Sequence, residues 1–296
     1  MSVLFRNFLS HDQRQHFIEA HAKNEVFCVH GLTDLKNEFC KLNFLESFDS
    51  LIKKWTLDVD VHLEDSRDEH TTLSLKNTKN AEAEFKKGQS LLFNDVDRQE
   101  GTLKDWLEEI STSLKLTSQT FSRCLVYATP KGGGNAAHFD QNINFILQLS
   151  GEKTWWTAPN TSVKNPMHRH VIGQEVEPEL ESCLDSPLPN SFPEEAQSFK
   201  LKAGSLLFVP PGVWHKTKAH TDAVSLNFTF SVPTFIELIE SLIRARLLGS
   251  KLWREPAQSL EDPEQIEKFN FLIQHLGADL QNWDAEEALK AFSHNM

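Results

Sequence analysis

Apolar residues recur at helical spacing in the first half of the chain. Near the N-terminus, Ser10 and Gln13 fit a capping box, and the apolar positions that follow predict a helix over residues 10–21. Residues 103–116 place leucine, tryptophan and isoleucine side chains on one helical face, which predicts a second helix. The remainder of residues 25–125 mixes short helix-like and strand-like patterns.

From about residue 122 the pattern changes to short β-like runs separated by glycine and proline. The first set reads RCLVYAT, KGGGNAAHFD, INFILQLSG and KTWWTAP, and the second reads FKLKAGSLLFVPPGVWHKTKAH and AVSLNFTFSV. Many short strands with turn signals between them predict a β-sandwich or barrel. Residues 160–198 separate the two sets. Their part 174–198 has seven acidic residues, four prolines and no Lys or Arg, which is typical of a surface loop or insert.

After the last β-like run the pattern becomes helical again. An apolar stripe predicts a helix over residues 233–248, with Pro233 in its first turn. Two further helices are expected to start near residues 262–263 and 283–284. The apolar stripe needs a partner surface, which is either a second subunit or the flank of the barrel. We expect a homodimer.

Composition and charge narrow the classes of function. The net charge of −12 disfavours nucleic acid as a partner, because a phosphate backbone must be met by Lys and Arg. Hydrophobic residues make up 39% of the chain, which is ordinary for a globular protein, and no apolar run is long enough to span a membrane. The four cysteines form no C-x-x-C pair and nothing signals secretion, so we expect a cytoplasmic protein without disulfides.

Three residues have the types and spacing of a metal site. His138 and Asp140 are two positions apart, and side chains at that spacing on a strand project to the same face. His215 follows an apolar strand and a Pro-Pro-Gly turn that is able to bring it beside them. Two histidines and a carboxylate form the facial triad of Fe(II) oxygenases. The HxD pattern alone is weak, because each of the 13 histidines has a structural alternative, a half-buried ring bonded to a backbone carbonyl.

The surroundings of these residues resemble the JmjC-type cupin oxygenases, and most of all the bacterial ribosomal oxygenases. That family carries a Tyr-Ala-x-Pro-Gly-Gly-Gly stretch before its HxD and a Pro-Pro-Gly-x-x-His segment, like YATPKGGGNAAHFD and VPPGVWH here. The asparaginyl hydroxylase that inhibits hypoxia-inducible factor is a less close likeness. The resemblance covers about residues 88–235. It implies a mainly β fold with flanking helices, the double-stranded β-helix, and an enzyme that uses Fe(II), 2-oxoglutarate and O₂ for hydroxylation.

The resemblance also assigns residues to the cosubstrate. Lys153 stands fifteen positions after His138, where the family has a basic residue that pairs with the distal carboxylate of 2-oxoglutarate. The alternative is a surface lysine in a turn. Asn144, expected on the same strand face as His138, matches a family asparagine near the cosubstrate, and Asn227 matches one late in the same barrel. The alternative for both is a polar strand residue that bonds to backbone groups. Tyr127 aligns with a family strand residue that hydrogen-bonds the cosubstrate, with a core tyrosine as the alternative.

The remaining candidate residues have simpler readings. The run Gly132–Gly134 lacks the Lys-Ser/Thr of a phosphate loop, so it predicts a close backbone turn at the cavity mouth. His168 and His170 are expected in a loop near the substrate entrance, not in a second metal site. Three tryptophans are expected in the barrel wall: Trp155, Trp156 and Trp214.

These patterns predict two parts of the chain. Residues 1–232 are expected to form the oxygenase domain with an N-terminal α/β elaboration, a barrel core over about 88–232 and an acidic insert over about 160–198. Residues 233–296 are expected to form a helical dimerisation region. The bacterial ribosomal oxygenases are longer and end in a winged-helix-like domain, which is not expected here.

The expected substrate is a protein or peptide side chain. The acidic stretch 174–198 fits a basic peptide, and a solvated loop is its alternative reading. Three other functions stay open from the sequence: the same chemistry on a small metabolite, a non-catalytic cupin that binds a ligand, and an RNA-modifying activity that the net charge disfavours.

Overall fold

The computed structural model divides the chain into two units, Met1–Val232 and Pro233–Met296. The structure describes residues 7–62, 72–75, 78–259, 261–286 and 289–290.

The first unit begins with mixed helices and strands and continues with a run of strands. In chain order the elements are α1 (His11–Lys23), β1 (Phe27–Val29), α2 (Thr33–Cys40), α3 (Phe48–Lys54), β2 (Val59–His62), β3 (Thr72–Leu75), α4 (Thr78–Lys86), β4 (Ser90–Phe93), α5 (Gly101–Ser113), β5 (Phe121–Thr129), β6 (Gly134–Phe139), β7 (Ile143–Ser150), β8 (Glu152–Ala158), β9 (His170–Val171), α6 (Pro178–Glu181), β10 (Gln197–Lys202), β11 (Leu206–Val209), β12 (Trp214–Ala219) and β13 (Ala223–Ser231).

The two helices predicted in the first half of the chain are present. In α1 the Ser10 hydroxyl accepts from the Gln13 backbone, and the Gln13 side chain accepts from the Ser10 backbone, which completes the capping box. The helix α5 begins two residues before the predicted start and ends three residues before the predicted end. The helical spacing was therefore read correctly, and only the helix ends differ from the prediction.

The strands within the described residues form two antiparallel sheets. The larger sheet has the order β1-β11-β7-β13-β5-β4-β2-β3, and the smaller has the order β10-β8-β12-β6-β9. Each sheet mixes strands from before and after the insert, which is the topology of a double-stranded β-helix. The predicted fold class is thus confirmed. The N-terminal region adds β1 at one edge, where Phe27 pairs with Phe208 of β11.

Alternation along the strands of the larger sheet separates a core from a cavity. In β13, Phe228 and Phe230 belong to the main hydrophobic core, where the Phe39 ring of α2 lies 5.6 Å from the Phe228 ring. The intervening Asn227 and Thr229 line a cavity between the two sheets. Because successive strand residues face opposite sides, one strand contributes both to the packing under the helices and to the inter-sheet cavity.

The insert between the two sets of strands packs on the outer face of the smaller sheet. Leu180 of α6 is buried with Phe139 and Trp214, whose rings meet edge to face at 4.7 Å. The seven acidic side chains of residues 174–198 are all exposed. The stretch is therefore a packed insert that carries an acidic surface.

The second unit begins with α7 (Phe235–Leu248), and α8 (Pro263–Leu280) follows. The predicted place of Pro233 was wrong. Thr234 is the N-cap of α7, with a capping box to the third helical residue, so Pro233 precedes the helix. The helix α8 starts where it was predicted, with Asp262 as its N-cap. Ala285 and Glu286 are helical, and part of the third predicted helix lies outside the described residues.

The helices α7 and α8 expose large apolar side chains. Arg246 of α7 makes a bidentate ion pair with Asp279 of α8, with both N–O distances at 2.8 Å. Along the described stretches of the chain, no helix is long and apolar enough to cross a membrane. The exposed apolar residues of α7 and α8 are Phe235, Ile236, Ile239, Leu248, Ile266, Phe269, Phe271 and Ile273.

Candidate metal centre

Two neighbouring strands and one turn bring the predicted triad together. The strands β6 and β12 pair antiparallel, and His215 lies directly opposite His138 in the register. Asp140 follows the end of β6. The Pro-Pro-Gly turn leads into β12, and its Gly212, at φ +81°, donates its backbone N–H to the Asp140 carbonyl at 2.8 Å. The turn therefore fixes the position of the carboxylate relative to both histidines.

The three side chains converge in the inter-sheet cavity. Asp140 Oδ2 lies 3.8 Å from His138 Nε2 and 3.7 Å from His215 Nε2. The three ligand atoms all lie within 4.8 Å of one another, and all three residues are buried. Their spacing is suited to a single metal ion coordinated by all three.

Hydrogen bonds orient both rings for metal binding. His138 Nδ1 donates to the Ala136 carbonyl at 2.7 Å, and His215 Nδ1 donates to the Val213 carbonyl at 2.9 Å. A carbonyl only accepts, so in a neutral ring Nδ1 carries the proton and Nε2 presents its lone pair. A hydrogen bond donated by the ring nitrogen that does not face the metal is typical of metal-ligating histidines.

Electrostatics keep the cluster in its metal-binding form. Burial lowers the pKa of His138 well below its ordinary value, the neighbouring His215 lowers it further, and Asp140 opposes the shift. The His–Asp approach is therefore not the ion pair of a protonated imidazole. Two imidazole nitrogens and one carboxylate fit Fe(II) by the chemistry of the donor set.

Arg169 is a neighbour of the cluster that the sequence did not single out. Its Nε lies 3.4 Å from Asp140 Oδ1, the oxygen that does not face the histidines. In the antiparallel β6–β9 pair, Phe139 lies opposite His170. The residue after Phe139 and the residue before His170 are therefore neighbours, which brings Arg169 to Asp140. The only sequence signal was its place between His168 and His170.

Neither of those two histidines joins the metal cluster. His168 Nε2 lies 2.9 Å from Glu179 Oε2 in the insert. His170 is buried in β9 against Phe139, with ring centroids 6.1 Å apart. Both histidines therefore have partners outside the triad.

Lys153 is buried in the wall of the same cavity. It lies in β8 with 3% of the residue exposed, so the alternative of a surface lysine in a turn is wrong. Its Nζ donates to the Thr129 hydroxyl at 3.2 Å and lies 5.9 Å from the centre of the Trp155 ring. A buried ammonium group lining a cavity is suited to an anionic ligand.

The other predicted cosubstrate residues also line the cavity, although one lies on a different strand from the expected one. Asn144 is not on the strand of His138: β6 ends at Phe139, and Asn144 belongs to β7 of the larger sheet. Asn227 is buried, and its Oδ1 has no hydrogen-bond partner in the part of the chain that the structure describes. Tyr127 is buried on β5. Cosubstrate binding by these three residues stays a prediction.

The glycine run has a structural explanation. Gly132 adopts φ +89°, and a Cβ on Gly134 would lie 1.9 Å from the Thr217 carbonyl oxygen of β12. Only glycine allows this close approach of β6 to β12. Among the three tryptophans, Trp155 stacks on the His215 ring at 5.5 Å, so it packs against the metal cluster from inside the barrel.

Several polar residues of the cavity wall were missed from the sequence. Arg123 and Asn142 line the same cavity as the triad. Arg123 precedes Tyr127 by four positions on β5, so the strand alternation places both on one face. That alternation was the signal from which Arg123 could be found.

Comparisons with known proteins find relatives of this site. Residues 102–238, which include the triad, match the JmjC domain family. The chain is 32% identical over 215 residues to the uncharacterized protein YxbC of Bacillus subtilis (strain 168), covering 70% of this chain and 65% of that protein. It is 27% identical over 129 residues to the ribosomal protein uL16 3-hydroxylase of Escherichia coli (strain K12), covering 42% of this chain and 30% of that protein.

A solved structure also aligns with the chain. The Escherichia coli ribosomal oxygenase YcfD in complex with cobalt and 2-oxoglutarate aligns over 78% of this chain and 58% of that chain, with 18% identity and a TM-score of 0.45. The chain thus spans less than two thirds of the length of each of these relatives. Residues 102–238 are thus similar to the JmjC domain family, and this segment carries the buried His-Asp-His cluster.

Proposed function

We propose that this protein is a 2-oxoglutarate- and Fe(II)-dependent oxygenase that hydroxylates a protein side chain. The observation that carries the proposal is the buried convergence of His138, Asp140 and His215, with both imidazoles oriented by backbone carbonyls. In this proposal the three residues hold Fe(II), and Lys153 pairs with the distal carboxylate of 2-oxoglutarate. Bound Fe(II) and 2-oxoglutarate supply the activation of O₂, with succinate and CO₂ as the coproducts of hydroxylation.

The protein residues position these groups and exclude water. The Ala136 and Val213 carbonyls keep the His138 and His215 rings in the tautomer that offers Nε2. The polar face of the larger sheet, including Asn227, provides hydrogen-bonding groups to a cosubstrate held between the sheets. The burial of Lys153 strengthens its attraction for a carboxylate, because screening by water is weak there.

A protein substrate is supported by the names of the relatives. One relative is a ribosomal protein uL16 3-hydroxylase, and another, 36% identical over 109 residues, is the ribosomal oxygenase 1 of Danio rerio. The four cysteines are free, which supports a reducing, cytoplasmic location.

We also propose that the protein is a homodimer through its second unit. The helices α7 and α8 expose large apolar side chains, of which Phe235 is the most exposed at 89%. Apolar helix faces of this kind are typical of interfaces. Sedimentation at micromolar concentration tests the proposal: a dimer that Phe235→Ser with Phe269→Ser converts to a monomer supports it, and a monomeric parent protein refutes it.

The enzymatic proposal is tested by an anaerobic titration of the metal-free protein with Fe(II) and then 2-oxoglutarate. The expected result is a weak visible charge-transfer band that is absent in His215→Ala and retained in the control His11→Ala, whose ring is exposed. No band in the folded parent protein would refute the oxygenase and favour a non-catalytic cupin.

The substrate class needs a second measurement. Ribosomal proteins incubated with the loaded enzyme are expected to gain one oxygen atom per modified residue, detected by peptide mass spectrometry. Stoichiometric 2-oxoglutarate turnover with free amino or sugar acids, and no modified peptide, would show a small-molecule hydroxylase instead.

A further inference from the structure

Arg123 lies at the end of the inter-sheet cavity away from Lys153. Both are connected to β5: Thr129, which accepts a hydrogen bond from Lys153, is six positions after Arg123 on that strand. Six residues of an antiparallel strand span about 20 Å. The five-carbon chain of 2-oxoglutarate spans at most about 6 Å, given bonds of about 1.5 Å. A cosubstrate held by Lys153 and the metal cluster therefore leaves the Arg123 end of the cavity to the substrate.

Hydrogen-bond donors surround Arg123. Thr229 lies opposite Arg123 in the β5–β13 register and opposite Asn144 in the β13–β7 register. The Thr229 hydroxyl donates to Asn144 Oδ1 at 2.9 Å, and the Ser231 hydroxyl donates to Asn142 Oδ1 at 2.6 Å. Both amide oxygens are thus occupied, and Asn144 Nδ2 donates to the Asn142 carbonyl at 3.4 Å, which leaves the Asn142 N–H₂ group as the amide donor at this end of the cavity.

The Arg123 side chain carries a charge that the described residues do not neutralise. Its guanidinium is half-buried and lies 5.9 Å from the centre of the exposed Phe121 ring. Within residues 7–62 and the other described ranges, no carboxylate or carbonyl oxygen bonds to it. A partly desolvated guanidinium with five N–H donors binds a carboxylate most strongly, through two parallel hydrogen bonds.

We propose that Arg123, with the amide nitrogen of Asn142, forms a substrate subsite for a carboxylate. This inference rests on the proposed oxygenase and names its substrate class: the hydroxylated group, or its near neighbour, is an acidic side chain or a free organic acid. A cationic side chain at this position is disfavoured by Arg123. The acidic surface of the insert lies on the outer face of the smaller sheet and does not contribute to this subsite.

The subsite is tested with small probes and a paramagnetic metal. The full-length protein is loaded anaerobically with Mn(II) and 2-oxoglutarate, and proton relaxation is measured for blocked aspartate (N-acetyl-aspartyl amide), blocked asparagine and blocked lysine. We expect the blocked aspartate to bind at least about tenfold more tightly than the other two, since a hydrogen bond to a charged group contributes about that much. Free L-aspartate run in parallel distinguishes an organic acid from a peptide-borne carboxylate.

Three variants separate the role of Arg123 from other effects. The preference for blocked aspartate is expected to disappear in Arg123→Gln, to be partly retained in Arg123→Lys, and to be unchanged in Arg98→Gln, whose side chain is exposed on a short helical turn. The Lys variant keeps the charge, so a preference lost in Gln and retained in Lys is an electrostatic effect and not a folding defect.

Defined outcomes overturn the inference. The inference is wrong if the parent protein binds blocked aspartate and blocked asparagine equally. It is also wrong if Arg123→Gln keeps the preference for blocked aspartate. A weaker affinity of Arg123→Gln for 2-oxoglutarate, read from the Fe(II) charge-transfer band, would instead assign Arg123 to the cosubstrate. Failure of the proposed function is recognised separately, as the absence of that band in the parent protein.

Discussion

Replacing Lys153 tests the part of the site that is proposed to hold the distal carboxylate of 2-oxoglutarate. Lys153→Met removes the ammonium group and keeps an unbranched apolar side chain of similar length in the same buried place. The ammonium lies 3.2 Å from the Thr129 hydroxyl and 3% of the residue is exposed. The change therefore removes one buried positive charge from the cavity wall and leaves the packing of β8 in place.

The size of the effect follows from the burial of the ammonium. Hydrogen bonds to charged groups contribute about 1.5–3 kcal/mol, and loss of one partner of a buried ion pair costs about 3–5 kcal/mol. At about 3 kcal/mol the dissociation constant for 2-oxoglutarate rises about 100-fold. The dissociation constant for the metal is expected to stay within about threefold, because the metal ligands are unchanged.

The assay is an anaerobic titration of the Fe(II)-loaded protein with 2-oxoglutarate, followed by the visible charge-transfer band. The matched control is Lys200→Met: Lys200 lies on the neighbouring strand β10, is exposed, and pairs with Glu152. Thermal unfolding of both variants verifies that they are folded. Affinity for 2-oxoglutarate is expected to fall in Lys153→Met alone.

Two results would refute the reasoning. If Lys153→Met binds 2-oxoglutarate as tightly as the parent protein, the buried ammonium does not hold the distal carboxylate. If Lys153→Met and Lys200→Met lose affinity equally, the effect reflects the general charge of the protein and not a specific contact.

Three further predictions concern Arg169 beside the triad, the close approach of two strands in the barrel, and a buried thiol. Arg169→Gln removes the ion pair with the triad aspartate and is expected to weaken Mn(II) binding about tenfold by calorimetry; unchanged affinity would exclude a positioning role. Gly134→Ala places a Cβ 1.9 Å from the Thr217 carbonyl and is expected to lower the free energy of unfolding in urea by about 1–3 kcal/mol or more, whereas Gly277→Ala, in an open helix position, should raise it by about 0.5–1 kcal/mol; equal effects would contradict the close strand approach. Burial raises the pKa of Cys28 from 9.0 to about 11, so its alkylation at pH 8 should be about 100-fold slower than that of an unperturbed thiol, and fast modification seen by mass spectrometry would disprove that environment.

Some of the site was predictable because its signals are local. The Pro-Pro-Gly turn and the two-residue spacing of His138 and Asp140 depend on strand geometry over a few residues. The capping residue Ser10 marked the start of α1, and the start of α8 near residues 262–263 was predicted correctly. The position of Asn144 was predicted wrongly, because the turn between β6 and β7 moves it from the smaller to the larger sheet.

Which side chains are buried was harder to predict from the sequence. Lys153 looked like a turn lysine by composition alone, and only the pairing of β8 with β10 and β12 encloses it. Arg169 approaches Asp140 through the short strand β9, a two-residue pairing with no hydrophobic pattern of its own. Such contacts depend on strand register between distant segments, which local residue preferences do not specify.

By itself the sequence determined the alternation of strands, the helix caps and the types and spacing of the metal ligands, since these follow from the periodicity of the backbone and the chemistry of each side chain. The tertiary structure alone decided that β12 lies beside β6, so that His215 meets His138 from 77 positions away along the chain. It also decided that Arg123, Lys153 and Asn227 share one cavity. The physical reason is that sheet pairing joins segments far apart in sequence, and only the closed barrel removes their side chains from water.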